Sequence, residues 1–219
     1  MIRVVLADDQ TMLRSSLSTL IDAEPELTVV GEAGDGAAAI RLAEQVRPDV
    51  VVMDIRMPRL DGLAATREIC GNPTLAATAV LVVTMFELEE YVYEALRAGA
   101  AGFLLKDAPP QQLVDGIRAV HAGESLLAPS VLARVVSHYV GTARPAPNAP
   151  DISELTPRER EVLVLVAQGY SNAQIEDHLH IARATAKTHM SALLRKTGAR
   201  DRAQLVIVAY ENGLVGRVL

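Results

Sequence analysis

The run Val50-Val51-Val52-Met53-Asp54 decides the fold. Its four apolar residues do not alternate with polar ones, so the strand they form must be covered on both faces, as in a parallel sheet with helices above and below. Similar runs occur at Val4-Val5-Leu6, Leu27-Thr28-Val29-Val30, Val80-Leu81-Val82-Val83 and Gly102-Phe103-Leu104-Leu105, giving five strands. Segments with helical spacing lie between them, such as Ala38, Leu42, Ala43 and Val46, or Val92, Ala95, Leu96 and Gly99. Strands alternating with helices predict an α/β fold, a doubly wound five-stranded parallel sheet joined by right-handed crossovers. Ligands of such a sheet bind beyond the carboxyl ends of its strands.

Past this region the character of the 219-residue chain changes. A helix is expected over 130–140, followed by Gly-Thr-Ala-Arg-Pro-Ala-Pro-Asn-Ala-Pro-Asp at 141–151, which holds three prolines and reads as a semi-extended linker. The remainder is helical in pattern. Thr156-Pro157-Arg158-Glu159, Ser171-Asn172-Ala173-Gln174 and Asp201-Arg202-Ala203-Gln204 each place a capping side chain at a helix start. Four helices are expected, over 157–168, 172–179, 183–197 and 202–212, with Gly169, Gly198 and Gly213 at helix ends. The expected division is residues 1–122, a connecting stretch 123–151, and a small all-α four-helix domain 152–219.

The formal charge of −6 is unevenly spread. Residues 1–122 carry 10 Lys/Arg against 18 Asp/Glu, whereas residues 151–219 carry 9 against 8. Within the latter, Arg183, Lys187, Arg195, Lys196, Arg200 and Arg202 against Asp201 make a local +5, so the two ends of the chain are suited to different partners. Five Tyr, two Phe and no Trp argue against stacking on single-stranded nucleic acid. No apolar run approaches the roughly 18 residues that cross a bilayer. One cysteine, Cys70, in an expected loop before Pro73, makes no internal disulfide, and Met1-Ile2-Arg3-Val4-Val5-Leu6 runs straight into acids; a cytoplasmic location without membrane contact is expected.

Asp8 and Asp9 follow the first strand and Asp54 ends the third. If these strands are neighbours, three carboxylates converge. Like charges so placed repel unless a cation lies among them, and an all-oxygen set suits Mg²⁺ better than zinc or copper. Thr84 closes the fourth strand and Lys106 the fifth, adding a hydroxyl and an ammonium at the same edge. Alone, each has an ordinary reading as a helix cap, a strand residue or a surface charge. Together they are what a transferring phosphoryl group needs: an oxygen nucleophile, a metal and donors for its equatorial oxygens. A haloacid dehalogenase type of phosphohydrolase would need a second Asp where Arg56 stands, and a dinucleotide enzyme would need a glycine-rich loop where Asp8-Asp9-Gln10 stands.

Val-Val-Leu-Ala-Asp8-Asp9, Val-Val-Met-Asp54-Ile-Arg-Met-Pro58-Arg-Leu-Asp61-Gly62, Val-Val-Thr84 and Ala98-Gly99-Ala-Ala-Gly102-Phe103-Leu-Leu-Lys106 resemble, in combination, the receiver domains of bacterial two-component response regulators. The resemblance covers residues 1 to about 122. It implies a flavodoxin-like strand order 2-1-3-4-5, a sensor histidine kinase as partner, and Asp54 as acceptor of its phosphate. It further implies Mg²⁺ (or Mn²⁺) bound by Asp9 directly, by Asp8 mainly through water, by Asp54 and by the Arg56 backbone carbonyl. Thr84 and Lys106 would contact the phosphoryl group, and Thr84 and Phe103 would form the switch. Met85 and the long Arg56 side chain are expected to narrow the approach to Asp54 and slow phosphate loss.

In the segment 183–197, Ala186, Met190, Leu193 and Thr197 stack on one helical face, while Ala184, Lys187, Thr188, Ser191 and Arg195 share the other. One face packs; the other is basic, polar and small, a surface suited to a DNA major groove. With Leu155-Thr-Pro-Arg-Glu-Arg-Glu-Val-Leu, Gly169-Tyr-Ser-Asn-Ala-Gln-Ile and Gly198-Ala-Arg-Asp-Arg-Ala-Gln-Leu, it resembles the LuxR-type helix-turn-helix domain, and the whole chain the NarL/FixJ class of transcription regulators. The resemblance implies double-stranded promoter DNA as partner, Lys187, Thr188 and Ser191 at base edges, Arg183 and Arg195 at phosphates, and a homodimer when phosphorylated. Three positions depart from the pattern: Ala182 in place of a capping Ser, Ala186 in place of a larger β-branched residue, and Glu176 at a normally small apolar position, either turned to solvent or paired with Arg183. His178, His180 and His189 lack an accompanying cysteine cluster and are not read as a metal site.

Overall fold

The computed structural model of the chain describes residues 1–85, 89–123 and 151–215. The expected helix at 130–140 and nearly all of the linker lie outside them. The chain forms two compact units, residues 1–126 and 127–219.

The first unit alternates strand and helix: β1 (Ile2–Ala7), α1 (Thr11–Asp22), β2 (Leu27–Ala33), α2 (Gly36–Val46), β3 (Val50–Met53), α3 (Gly62–Gly71), β4 (Ala79–Thr84), α4 (Glu89–Arg97), β5 (Gly102–Leu105) and α5 (Pro110–His121). All four pairings are parallel and the strand order is β2-β1-β3-β4-β5. This is the doubly wound five-stranded sheet that the apolar runs predict. All four residues of β3 are buried, and Val4 through Ala7 of β1 are no more than 1% exposed. On one face Val4, Leu6, Val50, Val52, Leu81 and Val83 pack with Ile21 of α1 and Leu113, Val114 and Ile117 of α5.

Side chains fix where the helices begin. Asp35 and Asp61 accept the backbone N–H of Ala38 and Ala64 at 2.8 Å each, capping α2 and α3. Cys70, expected in a loop, sits in the last turn of α3, its thiol 3.2 Å from the Gly99 carbonyl. Nothing before Gly71 breaks the helix, so α3 runs closer to Pro73 than the proline signal implies.

The second unit holds α6 (Pro157–Ala167), α7 (Asn172–Leu179), α8 (Arg183–Thr197) and α9 (Arg202–Glu211), the four helices expected. Thr156 with Glu159 and Ser171 with Gln174 form reciprocal capping boxes, and the Asp201 carboxylate accepts from the Gln204 N–H at 3.0 Å. Ala182 provides no side-chain cap to α8, the absence of which costs about 1 kcal/mol relative to Ser. Leu163, Ile175, Leu193 and Leu205, one from each helix, are at most 1% exposed and form its core.

Gly62 is held against the peptide that carries Asp54. Its N–H donates to the Ile55 carbonyl at 2.8 Å, and a Cβ there would fall 1.8 Å from the Asp54 carbonyl oxygen. The neighbour is backbone and cannot rotate away. Gly62→Ala is expected to destabilise the first unit by about 3 kcal/mol, read as a shift of its transition in urea denaturation of the full chain.

Candidate functional site

The parallel ladder determines which side chains meet at the carboxyl edge. Ala7 pairs with Met53, so Asp8 and Asp54 leave adjacent strands together, and the Asp54 N–H donates to the Ala7 carbonyl at 2.8 Å. Thr84 pairs with Leu105, and the Lys106 N–H reaches the Thr84 carbonyl at 2.9 Å. Lys106 Nζ then lies 2.5 Å from Asp8 Oδ2 and 2.9 Å from Asp54 Oδ2. One oxygen each of Asp8, Asp9 and Asp54 fall within 4.8 Å of one another. Asp8 and Asp54 are buried at 4% and 5% exposure, while Asp9 is exposed.

Three carboxylates against one ammonium leave two negative charges at a largely buried site, a deficit that one divalent cation removes. Burial pushes the Asp54 carboxyl above its ordinary range and the Asp8 charge adds to this, against the lowering pull of Lys106. Burial also works against the Lys106 ammonium, but its bonds to Asp8 and Asp54 outweigh it and raise its pKa. Thr84 is fully buried, and among the described residues its Oγ1 has no hydrogen-bond partner. Buried hydroxyls are nearly always bonded, so an unpartnered donor at this edge fits an acceptor brought by a ligand. The all-oxygen acid set and the net charge fit Mg²⁺.

Phe103 is 7% exposed and pairs in register with Val82. Of the two residues expected to narrow the approach to Asp54, Met85 extends into solvent at 63% exposure. Arg56 reaches α4, where it donates to the Tyr91 hydroxyl at 3.1 Å with its guanidinium 5.9 Å from the ring centre.

Two features at this edge were not legible in the sequence. Arg59 adopts a left-handed backbone (φ 66°) and pairs with the buried Asp35 carboxylate, while the Gly36 N–H donates to the Leu60 carbonyl at 3.0 Å. The loop after Asp54 is thereby tied to the start of α2. Left-handed geometry costs a residue with a Cβ about 1–2 kcal/mol. Arg14 similarly braces the loop after β1, donating to the Asp8 carbonyl at 2.5 Å. Both act through side-chain to backbone or long-range contacts that no local motif encodes.

In the second unit α8 shows the two faces expected. Ala186 and Leu193 are buried, with Met190 and Thr197 half-buried; Arg183, Lys187, Thr188, Ser191 and Arg195 are exposed. The Thr188 hydroxyl donates to the Ala184 carbonyl at 2.9 Å, so it offers outward an acceptor and a methyl group. The local +5 overstates this face. Arg202 is turned inward, bonded to the Tyr170 carbonyl and to Asn172 Oδ1, and Lys196 reaches Glu159 Oε2 at 2.7 Å. Glu176 is half-buried, and among the described residues no ion pair joins it to Arg183. His178 sets its ring edge-on to Tyr170, and His180 ends α7 in a left-handed turn.

The profile of the response regulator receiver domain matches residues 4–118, and that of the bacterial regulatory proteins of the luxR family matches residues 153–209. The chain belongs to the LuxR-class response regulators of two-component systems. It is 42% identical to the transcriptional regulatory protein YxjL of Bacillus subtilis over 215 residues, covering 98% of this chain and 97% of that one. Identity to the transcriptional regulatory protein LiaR of the same organism is 39%, covering 98% and 100%. Among solved structures, the response regulator ChrA of a heme-sensing two-component system is 36% identical, with 98% of each chain covered and a TM-score of 0.51. Both Bacillus subtilis relatives bear the name of transcriptional regulatory proteins, and with its luxR-family domain this response regulator is a DNA-binding protein rather than an enzyme. Among the described residues no helix is long and apolar enough to cross a membrane.

The DNA-binding domain of this response regulator holds α8 in place from its far end. Lys196, in the last turn of α8, reaches the Glu159 carboxylate at 2.7 Å and the Glu154 carbonyl at 3.2 Å. Glu159 also accepts the Thr156 N–H at 2.8 Å, closing the α6 cap. These bonds, Lys196 foremost, hold the Glu159 carboxyl at about 2. A carboxyl held below its unfolded value of about 4.5 stabilises the fold above that pH, and the contribution is lost as pH falls toward 2. Glu159→Gln is expected to lower the stability of the DNA-binding domain at pH 7 and to flatten its loss between pH 4.5 and 2, followed by thermal denaturation across that range.

Proposed function

We propose that Asp54 accepts a phosphoryl group from the phosphohistidine of a sensor histidine kinase and that the modified protein dimerises and binds promoter DNA. The observation that carries this reading is Lys106 bridging Asp8 and Asp54 at the strand edge that also bears the unpartnered Thr84 hydroxyl. In the transfer, an Asp54 carboxylate oxygen forms its bond to phosphorus as the P–N bond breaks, and the departing imidazole keeps that electron pair. Asp9, Asp8 through water, Asp54 and the Arg56 backbone carbonyl would hold Mg²⁺ (or Mn²⁺), whose charge offsets that of the phosphoryl oxygens. Lys106 and Thr84 donate to those oxygens.

Movement of Thr84 toward the phosphoryl group alters the packing of the neighbouring strand, where Phe103 is buried, and with it the α4 surface. Phosphorylation in this way shifts the protein toward a state that self-associates. We assign residues 1–122 to the receiver, 123–151 to the connection and 152–219 to the DNA-binding domain. Pairing of receivers raises the effective concentration of the second DNA-binding domain at its half-site. Lys187, Thr188 and Ser191 are placed at base edges, Arg183 and Arg195 at phosphates. The cytoplasm, where kinase and promoter are both reached, is the proposed location.

Incubation with acetyl phosphate and Mg²⁺ is expected to label wild type at one site and convert it to a dimer in size-exclusion chromatography with light scattering. Asp54→Ala should do neither, and identical behaviour of the two proteins would place the switch elsewhere. Arg183→Ala and Arg195→Ala are each expected to reduce the salt dependence of binding to a mixed-sequence duplex by about one unit of slope. Ser191→Ala should leave that slope unchanged.

A further inference from the structure

The contacts of Arg14 point to a role beyond packing α1. The N–H of Asp8 donates to the Ala33 carbonyl at 3.0 Å, and β2 ends there. The Asp8 carbonyl therefore lies past the last rung of the β1–β2 ladder and needs another donor. Arg14 Nη1 supplies it at 2.5 Å. A Cβ on Gly34, the residue that follows β2, would lie 3.7 Å from the same Nη1, so the guanidinium sits beside the end of β2. Its other nitrogens reach Glu32 Oε2 at 3.2 Å and the Thr11 hydroxyl at 3.3 Å, and the side chain is only 14% exposed.

The segment so clamped is the one that presents two of the three acids. Asp8 Oδ1 accepts the Gln10 N–H at 2.8 Å while its Oδ2 faces Lys106. Fixing the Asp8 peptide thus fixes the direction in which the Asp8 carboxylate leaves the strand, and the start of the Asp9 backbone.

We propose that Arg14, braced by Glu32, is a positioning residue for divalent cation binding, holding the Asp8-Asp9 backbone so that both carboxylates converge with Asp54. The inference rests on the reading of these acids as the Mg²⁺ site. Its test turns on sign. If Arg14 acted only as a nearby positive charge, removing it would tighten binding of a cation, and Arg14→Lys would behave as wild type. A positioning role requires the reverse. Lys offers a single compact ammonium and cannot span the Asp8 carbonyl and the Glu32 carboxylate as the guanidinium fork does.

Mg²⁺ alone, titrated calorimetrically into the full chain, reads this directly, with melting temperature in the absence of Mg²⁺ recorded in parallel. Arg14→Ala and Arg14→Lys are both expected to weaken Mg²⁺ binding about tenfold. Unchanged or tightened binding in Arg14→Ala, whatever its melting temperature, overturns the inference, as does full rescue by Lys. No Mg²⁺ uptake by wild type removes the metal reading itself, and the inference with it.

Discussion

The arrangement around Lys106 is a constraint on which the first domain of this response regulator depends. Two carboxylates and an ammonium are drawn out of water together, 2.5 and 2.9 Å apart, with a third carboxylate at the rim. Burying such groups is costly unless each is paired, and one cation does not balance three anions. The acid cluster therefore carries a surplus of negative charge. Burial, with a smaller part from the Asp8 charge, raises the Asp54 carboxyl, and the buried Thr84 hydroxyl at the same edge has no hydrogen-bond partner among the described residues.

The acid cluster is held by a rigid frame. A one-residue slip would carry every side chain of a strand to the opposite face and draw the polar residue at its end toward the core, so the register that aligns Ala7 with Met53 and Thr84 with Leu105 is fixed. The loops beyond the strands have no ladder and are held by other means: Arg14 on the Asp8 carbonyl, Arg59 on Asp35, and Gly62 pressed against the Asp54 peptide. In the DNA-binding domain the same economy appears in Glu159. One carboxylate closes the cap of α6 and anchors Lys196 at the end of α8. The uncapped start of that helix, at Ala182, has no such support from its own side chain.

Much of this was legible in the sequence because the signals are local or periodic. Non-alternating apolar runs, capping residues three positions before their partners, and acids at strand ends each carry a physical meaning within a few residues. The two faces of α8 follow from helical geometry alone. The destinations of the cations were not legible. Arg202 and Lys196 count toward a basic surface along the chain, yet one is folded onto the turn carrying Tyr170 and Asn172 and the other onto Glu159. A long flexible side chain reaches partners that sequence spacing does not reveal. Cys70 shows the converse, since a proline two residues beyond α3 marks a boundary without setting its position.

The sequence by itself determined the strands and helices of the described residues, the division of charge between the ends of the chain, and the residue types able to handle a phosphoryl group. These depend on the period of hydrophobicity and on the chemistry of single side chains. Only the tertiary structure decided that Lys106 bridges Asp8 and Asp54, that Thr84 is buried with no partner among the described residues, and that Arg14 and Arg59 brace the loops around the acids. Those contacts join residues on different strands and loops, and the crossover packing of the sheet, rather than any neighbouring residue, brings them within reach.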